Sequence, residues 1–308
     1  MVSFSHPASG ILAAYDGARP PAPAWFDAAL SWEPERTFFD HDGLAIELLV
    51  WGDAGKPGLL FLHGDSAHAD WWSFIAPFFA ADCRCAAISW SGMGRSDWRP
   101  GGYGFADWAQ EAIAAIDAAG LDNGCGTMVV AHSLGGYPAL MAGIQDPRIK
   151  GLISVDSAII PDEMLANIPH PVPRPHRVYR TCEEALSRFR FMPPTVGDQH
   201  YTVDYIARRG LVAVPGGWSW AFDPEIWGNM EERNRGLAGL PAASRCPLAL
   251  IVGEASELIG DEIATYMRGL YPPGTPFIGI PEAGHHVMVD QPIALVAALR
   301  SCLAYWPR

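Results

Sequence analysis

Seven short runs of the chain are almost continuously apolar, and the stretches between several of them carry apolar residues at helical spacing. The runs are residues 44–51, 58–62, 85–90, 127–132, 152–155, 248–252 and 277–280; helical patterns cover 106–119, 134–145 and 292–305, the last opening with Pro292. Proline is well suited to the first turn of a helix, where its missing N–H is no loss. A strand that is apolar at every position is buried on both faces, and strands linked through helices run parallel. The expected fold is therefore α/β, a mostly parallel, doubly wound sheet covered by helices on both sides.

The 308 residues, 49% of them apolar, are enough for one large domain with an insertion. Charged residues make up only 18%, so long disordered tails are not expected. A net charge of −13 argues against nucleic acid, because little here would replace counterions on phosphates. No run reaches the roughly 18 apolar residues that a membrane span needs. The first ten residues lack a basic stretch, and His6-Pro7 interrupts the one place for an apolar signal core. The six cysteines form no CxxC pair and read as structural thiols. Together these features predict a cytoplasmic protein with neither a nucleic-acid nor a membrane partner.

Two regions break the alternation. Residues 1–35 read as an irregular arm, since Arg19-Pro20-Pro21-Ala22-Pro23 cannot continue a helix, with Trp25-Phe26 pinning it to the body. Residues 159–241 lose the strand pattern, cluster prolines at 161, 169, 171, 173 and 175, and hold Trp218, Trp220 and Trp227. Tryptophans need something to pack against, which predicts a helical cap inserted after the strand ending near Val155 rather than a linker. The expected organisation is a core formed by 1–158 and 242–308 with a cap over 159–241.

Within the run 127–136 one serine stands between a strand and two glycines, Val129-Val130-Ala131-His132-Ser133-Leu134-Gly135-Gly136. Ser133 could simply cap the helix. A capping box, however, would place Glu or Gln three residues on, where the chain has Gly136. The alternative is a strand–turn–helix elbow, in which strained backbone angles hold the hydroxyl out. Such a turn needs small residues two before and two after, here Ala131 and Gly135. Gly136 would let the helix approach its strand closely.

Downstream lie "IVGEASELIG" at 251–260 and "IPEAGHHVMVDQP" at 280–292. The order serine, acid, histidine around such an elbow resembles the α/β-hydrolase superfamily from about residue 37 to the C-terminus. The resemblance implies Ser133 as nucleophile and His285, after Ala-Gly, as the base; His286 reads as a solvated loop neighbour. It favours Glu257 as the third member, with Asp156 in "SVDSA" as the alternative acid and Glu254 behind both. It implies an oxyanion hole from the backbone N–H groups of Leu134 and Asp65. An aspartate there must turn aside, pair with a group such as His68 or Arg95, or carry a proton.

His63 and His132 read as loop braces, and the spacing of the ten histidines offers no metal cluster. Trp72, Trp218, Trp220 and His68 are the candidate substrate contacts, in a pocket suited to an uncharged, largely apolar molecule. The resemblance implies hydrolysis of an ester or lactone through an acyl-serine, with no metal or organic cofactor. A carbon–carbon bond hydrolase and a non-catalytic receptor of the same fold are the alternatives. A serine at position 133 disfavours the dehalogenases and epoxide hydrolases of this fold, which attack with aspartate.

Overall fold

The computed structural model describes residues 10–165, 174–228 and 235–306. The first nine residues and Pro169, Pro171 and Pro173 of the proline cluster lie outside these. The described residues form ten strands: β1 (Glu35–His41), β2 (Leu44–Trp51), β3 (Gly58–Leu62), β4 (Arg84–Ile88), β5 (Thr127–His132), β6 (Ile149–Val155), β7 (Leu211–Val214), β8 (Gly217–Trp220), β9 (Leu248–Gly253) and β10 (Phe277–Ile280). Eight form one sheet in the order β1-β2-β4-β3-β5-β6-β9-β10, antiparallel at β1/β2 and β2/β4 and parallel elsewhere.

Both faces of the sheet are covered, which explains the continuous apolar runs. In β3 every residue is buried: Leu59 and Phe61 join one cluster, Leu60 and Leu62 the other. On the first face pack Leu295, Leu299 and Leu303 of the helix Pro292–Tyr305 and Phe26 of the helix Ala24–Leu30. On the second pack Trp108, Ala112 and Ala115 of Phe105–Ala118, Leu140 of Gly136–Gln145 and Met267 of Asp261–Leu270. Parallel strands put the loops after β3, β5, β6, β9 and β10 at one edge, where open α/β sheets build their sites.

Two expectations about the flanking regions need correction. The arm before β1 is not irregular throughout, because Ala24–Leu30 is helical. Once the last proline, Pro23, is passed, every residue of that segment has an N–H to donate and the helix forms. The block between β6 and β9 is not wholly helical either. It contains the helix His200–Arg209 and an antiparallel hairpin, β7–β8. The two-residue turn Pro215-Gly216 closes the hairpin, proline holding its first position and Gly216 taking a φ of 90° at the second, which suits glycine.

A buried ionic network ties this block to the core. Arg36 of β1 pairs with Glu47 of β2 and donates to both oxygens of Asp70, at 2.8 and 2.9 Å. Tyr205 of the helix His200–Arg209 reaches the same carboxylate at 3.3 Å. Nearby His68 meets the Ile206 carbonyl at 3.1 Å, so the loop after β3 and the helix above it are held in register.

Candidate active site

Ser133 follows the last residue of β5 with φ of +52°, a left-handed conformation unusual for a side chain of its kind. The turn holds because nothing around it could be larger. A Cβ built on Gly135 would sit 2.4 Å from the His63 carbonyl oxygen, and one on Gly64 would sit 2.9 Å from the Ser133 Cβ. The loop after β3 therefore lies directly against the elbow. Gly135→Ala should push that loop away, costing about 1–3 kcal/mol of stability. It should also lower kcat about 10–100-fold with little change in KM, as a misplaced reacting group does. Thermal unfolding and steady-state kinetics read the two effects.

The Oγ of Ser133 makes no hydrogen bond to another described residue, and the side chain is only partly buried. Leu134 is the second residue of the short turn Ser133–Gly135, within the first turn, where a backbone N–H has no intrahelical acceptor. Across from it, the carboxylate of Asp65 accepts from the Trp227 indole N–H at 3.0 Å and from the Ser66 hydroxyl at 3.1 Å. The aspartate is thus turned aside and paired, though with neither of the partners expected.

The acid requires the main correction. Glu257 is exposed and carries no hydrogen bond among the described residues. His285 Nδ1 instead lies 2.7 Å from Oδ2 of Asp156, and both side chains are buried. The reason is topological, since β6 sits between β5 and β9 and the residue that follows it, Asp156, stands between the serine and the histidine loop. Asp156 adopts φ of +48°, and its carboxylate also accepts from the Gly253 N–H at 3.0 Å and the Ser256 hydroxyl at 2.7 Å. Ser256, three residues past Gly253, thus supports the acid from the position where an acid was expected.

The histidine loop is fixed by a second buried carboxylate. Asp290 accepts from the N–H groups of Gly284 at 2.8 Å, Val196 at 3.0 Å and Gly197 at 3.1 Å. Burial raises this carboxyl above its ordinary value, and the three N–H donors offset the rise only in part. It joins the segment before His285 to the region inserted after β6.

His63 and His132 are both buried and braced. His63 donates from Nδ1 to the Gly64 carbonyl at 2.7 Å and accepts the Trp90 N–H on Nε2 at 3.1 Å; burial pushes its pKa down to about 3. His132 Nε2 donates to the His285 carbonyl at 3.0 Å. His286 is not solvated as expected, but 5% exposed, with Nε2 donating to the Pro193 carbonyl at 2.9 Å.

The aromatic candidates are redistributed. Trp72 is fully buried against Phe61, 5.1 Å between rings, and is core rather than wall. Its neighbour Trp71, which the sequence did not single out, stacks on His132 at 6.0 Å and meets Phe191 at 5.3 Å and His286 at 5.6 Å. Trp220 packs on Phe189 and lines an outer groove of about 500 Å³ with Trp98, His176 and Val178, a groove to which Ser133, Asp156 and His285 do not contribute. Trp218 is half-buried on β8, its backbone exchanging two 2.8 Å hydrogen bonds with Tyr179. His68 is committed to Ile206 and is a brace between the two regions.

Among the described residues, no helix is long and apolar enough to cross a membrane. Among curated proteins, the chain is similar to the 2-heptyl-3-hydroxy-4-quinolone dioxygenase AqdC2 of Rhodococcus erythropolis, 31% identical over 130 residues, 42% of this chain and 46% of that one. In this match, and in one to a serine hydrolase-like protein of Danio rerio, the chain spans about half the length of the relative. A longer match, 26% identical over 276 residues, covers 84% of this chain and 86% of the esterase Rv0045c of Mycobacterium tuberculosis. The crystal structure of that esterase superposes with a TM-score of 0.65 at 20% identity, over 96% of this chain and 97% of that one. The E-2-(acetamidomethylene)succinate hydrolase structure gives 0.75 at 18% identity, over 87% and 98%. At these identities the structural likeness speaks for the fold alone. The profile of the alpha/beta hydrolase family matches residues 59–299, most of the chain and every element that carries the site, and the chain belongs to that family.

Proposed function

We propose that the protein hydrolyses a largely apolar carboxylic ester or lactone through an acyl-serine intermediate. The observation that carries this reading is the buried Asp156–His285 hydrogen bond on the loop edge that also bears the strained Ser133. Because a carboxylate only accepts, His285 Nδ1 holds the proton and its Nε2 is left as the base. Ser133 Oγ gives its proton to that nitrogen as it attacks the acyl carbon. Asp156 stabilises the imidazolium that results, and the N–H groups of Leu134 and Asp65 receive the developing oxyanion. His285 then returns the proton to the leaving alkoxide, and water attacks the acyl-serine by the same route in reverse.

Residues 159–241 act in this reading as a cap. Phe191 packs against Trp71 and, at 4.7 Å, against His286, which supports an apolar acyl group. Trp227 reaches the oxyanion loop from the same region. The esterase relative that aligns over most of both chains supports an ester bond as the target. A panel of p-nitrophenyl esters and lactones, with product analysis, tests the proposal. Acid and alcohol should form, faster from an apolar acyl chain than from a succinyl half-ester. Absence of both burst and turnover across the panel would overturn it.

A further inference from the structure

We propose that His132, His285 and His286 form a binding site for one transition-metal cation of the zinc class, and that filling it switches the serine centre off. One ring nitrogen from each of the three lies within 4.8 Å of those from the other two, and all three residues are buried. The second clause rests on the ester-hydrolase reading; the first does not.

The hydrogen bonds fix which nitrogens carry protons. His132 Nε2 and His286 Nε2 face carbonyl oxygens, of His285 and Pro193, and must donate. His285 Nδ1 faces the Asp156 carboxylate and must donate too. Each ring therefore keeps one nitrogen with its lone pair: Nδ1 of His132, Nδ1 of His286 and Nε2 of His285. The two Nδ1 atoms are fully buried and have no hydrogen-bond partner among the described residues. Buried polar atoms are ordinarily satisfied, so two such orphans in one cluster ask for a ligand.

The chemistry of the donors names its class. Three neutral imidazoles suit zinc, copper, nickel or cobalt and offer nothing to magnesium or calcium. Each imidazole is already oriented through its other nitrogen by a carbonyl or a carboxylate, the arrangement that metal-ligating histidines use. Three atoms within 4.8 Å of one another leave a point no more than about 2.8 Å from each, so at most roughly 0.7 Å of inward motion per ring brings zinc to bonding distance. Because His285 supplies its free nitrogen to both roles, it cannot hold the metal and take the serine proton at once. Metal binding and turnover exclude each other.

Chelator-stripped full-length protein is titrated with Co²⁺, read by visible absorption, and with Zn²⁺, read by calorimetry, with Mg²⁺ as control. One Co²⁺ or Zn²⁺ per chain should bind and Mg²⁺ should not. His286→Ala and His132→Gln should each weaken binding at least about 10-fold, the scale of even outer-sphere changes at metal sites. Ser133→Ala should bind as the parent does, and thermal unfolding establishes that each variant is folded. Saturating Zn²⁺ should lower ester turnover more than 10-fold, with recovery on adding chelator. Binding without inhibition would overturn the switch, and absence of binding, or binding unchanged in both histidine variants, would overturn the site. If no ester is turned over at all, the cobalt titration of Ser133→Ala still decides the site independently.

Discussion

Asp156→Asn should lower kcat/KM about 10⁴-fold, the cost of removing the orienting acid in a serine triad, while Glu257→Gln should leave it within about twofold, as an exposed substitution does. The asymmetry follows from the three donors that converge on Asp156: the His285 Nδ1–H, the Gly253 N–H and the Ser256 hydroxyl. A carboxylate accepts from all three, whereas asparagine has one acceptor oxygen and an NH₂ that can only donate. With its oxygen on Gly253, its NH₂ turns to the imidazole and draws the proton to Nε2, the tautomer that cannot accept from serine. With its oxygen on His285, the NH₂ opposes the Gly253 N–H. In both arrangements the imidazolium loses its counter-charge inside a buried site. Steady-state kinetics on the two variants decides between the carboxylates. A loss in Glu257→Gln as deep as that in Asp156→Asn would reinstate the acid favoured by the local sequence.

Ser133→Ala should abolish turnover, by about 10⁶-fold if it behaves as the loss of a nucleophile does in other serine triads. Its melting temperature should stay close to the parent value, because the Oγ makes no hydrogen bond to another described residue that alanine would forfeit. Ser133→Gly should be equally inactive yet melt about 1–2 °C higher, since glycine adopts the +52° φ without steric cost. That pairing separates a strained functional residue from an ordinary helix cap, whose removal lowers stability instead. A fall in melting temperature in both variants would mean that the hydroxyl serves the fold.

The central strands were legible because burial on two faces leaves a continuous apolar run, as in β3 and β5. β1 left no such mark. Glu35–His41 is an edge strand with most of its side chains at least partly exposed, so its sequence reads as polar. The helix Asp261–Leu270 buries only Met267 and was missed for the same reason. The elbow at Ser133 and the loop that holds His285 were readable because each sits in a short local pattern. The carboxylate that meets the imidazole was not, since spacing after Gly253 pointed to Glu257 while the order β5-β6-β9 placed Asp156 beside the ring. The histidine cluster shows the same difference: His132 lies 153 residues from His285, and no spacing rule joins them. A hint was present in one histidine adjacent to the serine and a histidine pair at 285–286, but only the tertiary fold closes them into a group.

The central claim, that Ser133 is the nucleophile driven by the Asp156–His285 pair, is tested most directly by covalent trapping. The protein is incubated with a fluorophosphonate and the adduct is located by peptide mass spectrometry. One phosphonyl group per chain should appear on Ser133, form far more slowly in Asp156→Asn, and at the parent rate in Glu257→Gln. An adduct on another residue, or labelling of Ser133 that is indifferent to Asp156, would contradict the account.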